Sequence, residues 1–196
     1  HAAAQAIIER PGRRYNPFFI YGQTGNGKTH LIQAVGNEIK HRFPDKKVYY
    51  VTSERFSQDY INSIQTNSAN AFKEKYRKYD VIIMDDVQFI ANTEKTQEEL
   101  FHLFNALRDN NKQIVFSSDK HPALLPGFED RLKGRFSGGM IAEIPEPDVE
   151  SRTAIIGAKI EQHGFSIPAD IIQYIDEQET IEGAPHLLER DLERAA

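Results

Sequence analysis

The amino-acid sequence predicts an α/β fold: a three-layer sandwich around a five-stranded parallel sheet, followed by a small helical subdomain. Five apolar runs of four or five residues, rich in Val, Ile, Phe and Tyr, recur at 18–21, 48–52, 81–84, 113–117 and 140–144. Segments of helical length separate them, as expected of parallel strands covered on both faces by crossover helices. Beyond Pro145 and Pro147 the strand pattern stops.

Taken in order, the run at 18–21 leads through a glycine-rich loop into a helix predicted over 30–43. Its apolar residues Leu31, Ala34, Val35 and Ile39 share one face, and Pro44 ends it. The stretch 72–78 carries four positive charges and one negative among aromatics. It suits either a phosphate-tracking surface or an amphipathic helix with Phe72 and Tyr76 in the core, and the second is preferred. A helix over 94–108 presents Leu100, Leu103, Phe104 and Leu107 together. Three more helices are predicted over 148–163, 168–178 and 187–195, with Asp148 and Pro168 as start signals. The expected division is an α/β core over 1–145 and an incomplete helical subdomain over 146–196.

Composition narrows the chemistry. The 196 residues include no cysteine, which excludes disulfide frameworks, thiolate zinc sites and cysteine nucleophiles. Seven scattered histidines lack the H-x-x-x-H spacing of a structural metal site. No apolar run reaches the length of a membrane span and no signal-peptide pattern opens the chain, so a cytoplasmic location is expected. The first residue is His1, so a piece of a longer protein is expected. The net charge of −5 is unevenly spread: residues 1–142 carry +4 and residues 143–196 carry −9. Contacts with nucleic acid would have to come from local basic sites in the first part.

The segment Gly22-Gln-Thr-Gly25-Asn26-Gly27-Lys28-Thr29 matches G-x-x-x-x-G-K-[ST], with a strand before it and a helix after it. Glycines allow successive backbone N–H groups to face phosphate oxygens, and the helix start adds its positive end. Lys28 would neutralise the β- and γ-phosphates, and the Thr29 hydroxyl suits Mg²⁺. The run at 81–84 ends in Asp85 and Asp86: the first would hold Mg²⁺, the second would polarise a water as general base. Asp119 follows the run at 113–117 on the same expected sheet edge, facing either the γ-phosphate or the attacking water. Arg131 and Arg135 are four apart on one helix face, suited to surface ion pairs or to a phosphate offered by a neighbouring subunit. These features together indicate a P-loop NTPase.

In order and spacing, the segments 15–31, 50–56, 83–89, 117–119 and 130–136 resemble the AAA+ domain of the DnaA family of bacterial replication initiators. The resemblance covers roughly residues 1–175. Helicase-loader ATPases share the core but not the 53–76 segment in this form. The resemblance implies an AAA+ core with a helical lid, ATP/ADP and Mg²⁺ as ligands, and slow ATP hydrolysis used as a switch. It implies a head-to-tail helical oligomer that engages single-stranded origin DNA, with helicase or regulatory proteins as further partners. By it, Arg135 is the arginine finger, Arg131 an inter-subunit contact and Asp119 sensor 1. Tyr15 and Asn16 fall near the adenine, His30 flanks the phosphate loop, and Ile61, Lys95 and Thr96 contact the strand. The family's additional basic residue is absent at Thr93. Its lid motif N-[IV]-R-E-L-E-G corresponds to 180–190 here, with Ala184 near the expected sensor-2 arginine and Arg190 or Arg194 able to substitute only after a register shift. Duplex recognition by the family's helix-turn-helix has no counterpart in this sequence. The alternative is an AAA+ loader or regulator acting through protein contacts. A metabolic kinase would fit the loop but leave Arg135 and Asp119 unexplained.

Overall fold

In the computed structural model, β1 (Phe18–Tyr21), β2 (Val48–Thr52), β3 (Val81–Asp85), β4 (Gln113–Ser118) and β5 (Met140–Glu143) form one parallel sheet in the order β2-β3-β4-β1-β5. The structure describes residues 2–162. The chain divides into two compact units, His1–Ile144 and Pro145–Ala196. Phe18 aligns with Val115 on one side and Met140 on the other, and Val81 aligns with Gln113.

Alternation along the strands builds two cores. Phe19, Ile82, Met84, Ile114 and Phe116 pack on one face with Phe56 of α3 (Ser53–Gln65), Tyr76 of α4 (Ala69–Arg77), Phe104 of α5 (Glu94–Asp109) and Phe136 of α6 (Asp130–Ser137). Phe18, Ile20, Val81, Ile83 and Val115 pack on the other with Ile7 of α1 (Ala2–Glu9) and Ile32, Val35 and Ile39 of α2 (Lys28–Arg42). The expected three layers are therefore present.

Element boundaries shift where the chemistry lies. β3 takes in Asp85 and β4 takes in Ser118, one residue beyond their apolar runs. Helix α2 begins at Lys28, because the glycine loop itself delivers its first turn. In α4, Phe72 and Tyr76 are buried, and Lys75 binds Asp59 at 2.5 Å. The stretch is a core-facing helix rather than a phosphate track. In the second unit, α7 (Val149–Gln162) starts at the expected place, with the Asp148 carboxylate accepting the Ser151 N–H at 2.8 Å. The expected helices at 168–178 and 187–195, and the lid segment around Ala184, Arg190 and Arg194, lie outside the described residues.

A buried amide braces the loops next to the site. Gln97 donates to the carbonyls of Ile90 at 3.0 Å and Gly127 at 2.7 Å, and accepts the Glu129 N–H at 3.1 Å. Replacing Gln97 with Leu leaves the Glu129 N–H without its acceptor, while the Ile90 and Gly127 carbonyls keep the Thr93 hydroxyl and the Asn92 N–H. Urea unfolding of Gln97→Leu is expected to show a loss of about 1–3 kcal/mol with an unchanged m-value.

Candidate nucleotide-binding site

The phosphate loop leaves β1 at Gly22, and its shape is dictated by close approach. A Cβ at Gly22 would meet the Ile144 carbonyl oxygen at 2.4 Å, so only glycine fits. Gly27 has φ +81, the left-handed region that side chains avoid, and it caps α2. Asn26 ties the loop to the far edge by donating to the Ile144 carbonyl at 3.2 Å. Gly25, at φ 91, completes the turn. Lys28, 7% exposed, donates to the carbonyls of Gly22 and Gln23, each at 2.9 Å. An ammonium has three N–H donors, so these two bonds aim the head across the loop.

Thr29, on the first turn of α2, donates to Asp85 Oδ2 at 2.8 Å. The same oxygen accepts the Tyr50 hydroxyl at 2.6 Å, and Oδ1 accepts the Ser117 hydroxyl. Burial and the bond to Asp85 push the Tyr50 phenol up to about 12. Asp86 sits at φ 54, an unusual conformation for a residue with a side chain. It is held there by its N–H on Ser117 Oγ at 2.8 Å and its carbonyl on the Ser53 hydroxyl at 2.5 Å. Gln88 joins the two strand ends: its amide donates to Asp86 Oδ1 at 3.1 Å, while its oxygen accepts from Ser118 Oγ at 3.1 Å and Asp119 N at 3.3 Å.

Lys28, Thr29, Asp85, Asp86 and Asp119 therefore share the carboxyl edge of the sheet, where the sequence places them. Tyr50, Ser53, Gln88 and Ser117 belong to the same edge and were not expected from the motifs. Tyr50 reaches Asp85 through strand order: it aligns with Ile83, two residues before Asp85 and on the same sheet face.

Arg131 and Arg135 do share one face of α6, and Leu132 and Phe136 on the other face are buried. Both guanidiniums lie over the Phe101 ring, 5.0 and 5.3 Å from its centroid. Arg131 also pairs with Glu129. Among the described residues neither bonds to the phosphate loop of its own chain.

Tyr15 and Asn16, expected near the adenine, precede β1, about 13 Å of extended chain from the phosphate loop. Asn16 fastens the amino edge, donating to the Lys112 carbonyl at 2.7 Å and accepting the Ile114 N–H at 3.0 Å. Thr96 is 4% exposed, its hydroxyl 3.4 Å from that of Ser57, so that side chain is not open to a strand. Ile61, one helical turn beyond Ser57 on α3, is 45% exposed, and Lys95 is exposed. His30 is exposed on α2 beside the loop.

The Tyr50 phenol yields a test of this edge. Its proton is held up to about pH 12 in the fold, against about 10 when unfolded. Unfolding thus releases a proton in that window, and stability falls as pH rises from 10 to 12. Denaturation across that range should show a shallower fall for Tyr50→Phe than for the parent chain.

Comparison with known proteins agrees with the geometry. The family model of the bacterial DnaA ATPase domain matches residues 1–143. The chromosomal replication initiator proteins DnaA of Synechococcus sp. (strain JA-2-3B'a(2-13)) and Symbiobacterium thermophilum are each 50% identical over 175 residues, 89% of this chain. The chain spans 38% of the length of those relatives. Domain III of the Thermotoga maritima replication initiation protein DnaA superposes with TM-score 0.87 at 44% identity, over 90% of this chain and 73% of that one. A replication initiator DnaA bound to AMPPCP and single-stranded DNA gives TM-score 0.88 at 38% identity, over 98% and 58%. The DnaC helicase loader shares the fold alone, at 13% identity and TM-score 0.62. On its loop geometry, its sheet order and these matches, this chain belongs to the bacterial DnaA ATPase-domain family.

Proposed function

We propose that this chain is the ATP-binding switch of a replication initiator, which assembles head to tail with further copies of itself and engages single-stranded origin DNA. The observation that carries this is the Thr29–Asp85 pair at the mouth of a glycine loop whose lysine is aimed across it. A hydroxyl and a carboxylate are the oxygen donors a hard cation prefers. Among the described residues no three His, Asp or Glu side chains converge, so Thr29 and Asp85 would hold Mg²⁺ jointly with phosphate oxygens rather than as a closed cage. Bound there, the ion would offset phosphate charge. Asp86 is the candidate general base for a slow hydrolysis to ADP and phosphate, with Gln88 fixing one of its oxygens. Gln88 also links it to Asp119, the candidate sensor of the γ-phosphate.

Arg135 and Arg131 stand on α6, stacked on Phe101, and serve a nucleotide held by the adjacent copy. Ile61 and Lys95 supply the apolar and cationic contacts for a strand, and Thr96 contributes its backbone at the start of α5. The neighbour bound to AMPPCP and single-stranded DNA supports this combination of ligands. A loader-like or regulatory activity through protein contacts is the alternative. Exposed Phe89 (58%) and Leu124 (72%), which follow β3 and β4, favour it. Among the described residues no helix is long and apolar enough to cross a membrane.

Calorimetry with ATP and Mg²⁺ should show affinity reduced by about 100-fold or more in Lys28→Ala, the cost of about two charge-assisted bonds. Unchanged affinity would sink the proposal. In Arg135→Ala, ATP affinity should stay within about twofold, while ATP-dependent assembly in sedimentation is lost. Lys95→Ala should weaken ATP-dependent strand binding and reduce its log–log salt slope by about 0.7. Strand binding indifferent to ATP would favour the protein-contact alternative.

A further inference from the structure

At the opposite edge of the sheet, where the strands begin, the fold forms a basin of about 510 Å³. Arg13 and Arg108 line it together with Tyr15, Asn111 and the glycine pair before β5. Both arginines are exposed, and among the described residues neither guanidinium has a hydrogen-bond or ion-pair partner. Among the described residues no carboxylate lines the basin. In the flanking segments 9–14 and 108–112, Arg10, Arg14 and Lys112 add to the positive charge, against Glu9 and Asp109 alone. Other cations are held by carboxylates: Arg42 by Glu38, Arg55 and Lys75 by Asp59, and Arg131 by Glu129. Here two unpaired guanidiniums line one concavity.

The floor is built rather than accidental. Gln113, fully buried, accepts the Gly12 N–H at 2.9 Å and donates to the Tyr15 carbonyl at 3.2 Å, which fixes the 12–15 loop against β4. Tyr15 is held at φ 52, and the residue is 42% exposed at the rim. The carbonyl end of α5 would repel an anion, but it is closed off locally: Asn111 N–H binds the Arg108 carbonyl at 3.0 Å, and Lys112 N–H binds that of Leu107 at 2.9 Å. The volume falls within the usual range of small-ligand pockets. Paired guanidiniums suit phosphate oxygens, and an exposed aromatic plate suits a base.

We propose that this basin is a second nucleotide-class site, in which Arg13 and Arg108 hold phosphate and Tyr15 stacks on the base, the nucleotide being either free or part of a single strand. It is separate from the phosphate loop and stands independently of the function proposed above. The test uses the whole chain, with Arg13→Ala/Arg108→Ala and Tyr15→Ala variants, each also in a Lys28→Ala background. Lys28→Ala removes the loop's contribution, so failure at the loop and failure at the basin are read apart. Equilibrium dialysis with ATP reports a free ligand. Fluorescence anisotropy with a labelled oligothymidylate, in a Lys95→Ala background, reports a strand. A second equivalent of ATP that persists in Lys28→Ala and is lost in the double arginine variant assigns the site to free nucleotide. Oligothymidylate affinity reduced about tenfold or more in the double variant, with the salt slope lower by about 1.4, assigns it to a strand. Tyr15→Ala should weaken the same ligand while leaving the salt slope unchanged. Thermal melting of the variants at the parent temperature confirms that the fold is intact. If neither ligand responds to the arginine substitutions, the proposal is overturned.

Discussion

The carboxyl edge is organised around one buried carboxylate. Asp85 is 2% exposed, and a carboxylate in that position is tolerated only when its oxygens are satisfied. Three hydroxyls do so: Thr29 from the start of α2, Tyr50 from β2 and Ser117 from β4. Each comes from a different element, so the end of β3 is tied to its neighbouring strands and to the helix that closes the phosphate loop. The position of Thr29, and with it the direction of the first turn of α2, follows from that hub. Asp86 is in turn fixed through Ser117, the residue that also serves Asp85.

A second constraint is aromatic. Phe136 lies 5.3 Å from Phe19 and 4.8 Å from Phe116, rings on β1 and β4. These contacts seat α6 on the sheet through one face, so Arg131 and Arg135 on the other face must point outward. The sheet thereby determines two things at once: where a phosphate can be cradled, and where the arginines that do not reach that cradle are displayed.

Much of this was legible in the sequence, and the limits have physical causes. The apolar runs gave all five strands because doubly covered strands cannot carry polar residues without partners. The phosphate loop was legible because glycine spacing and Lys28 are local. Tyr50, Ser117 and Gln88 were not, since their roles depend on strand order, which brings residues 35 and 32 positions away onto Asp85. Helix α1 carries no acidic or basic end signal that would mark it in the sequence. Asn16 ties the start of β1 to β4, a bond between residues 98 positions apart that no local pattern announces.

Helix α5 runs past three separate places on the molecule. Its first turn bears Lys95 and Thr96, its middle bears Phe101 beneath both arginines, and its last turn bears Arg108. Sixteen hydrogen-bonded residues form a rod about 24 Å long, which cannot stretch and moves only as a body. A partner that drew the arginines off Phe101 would expose the middle of the helix that carries Lys95 at one end and Arg108 at the other.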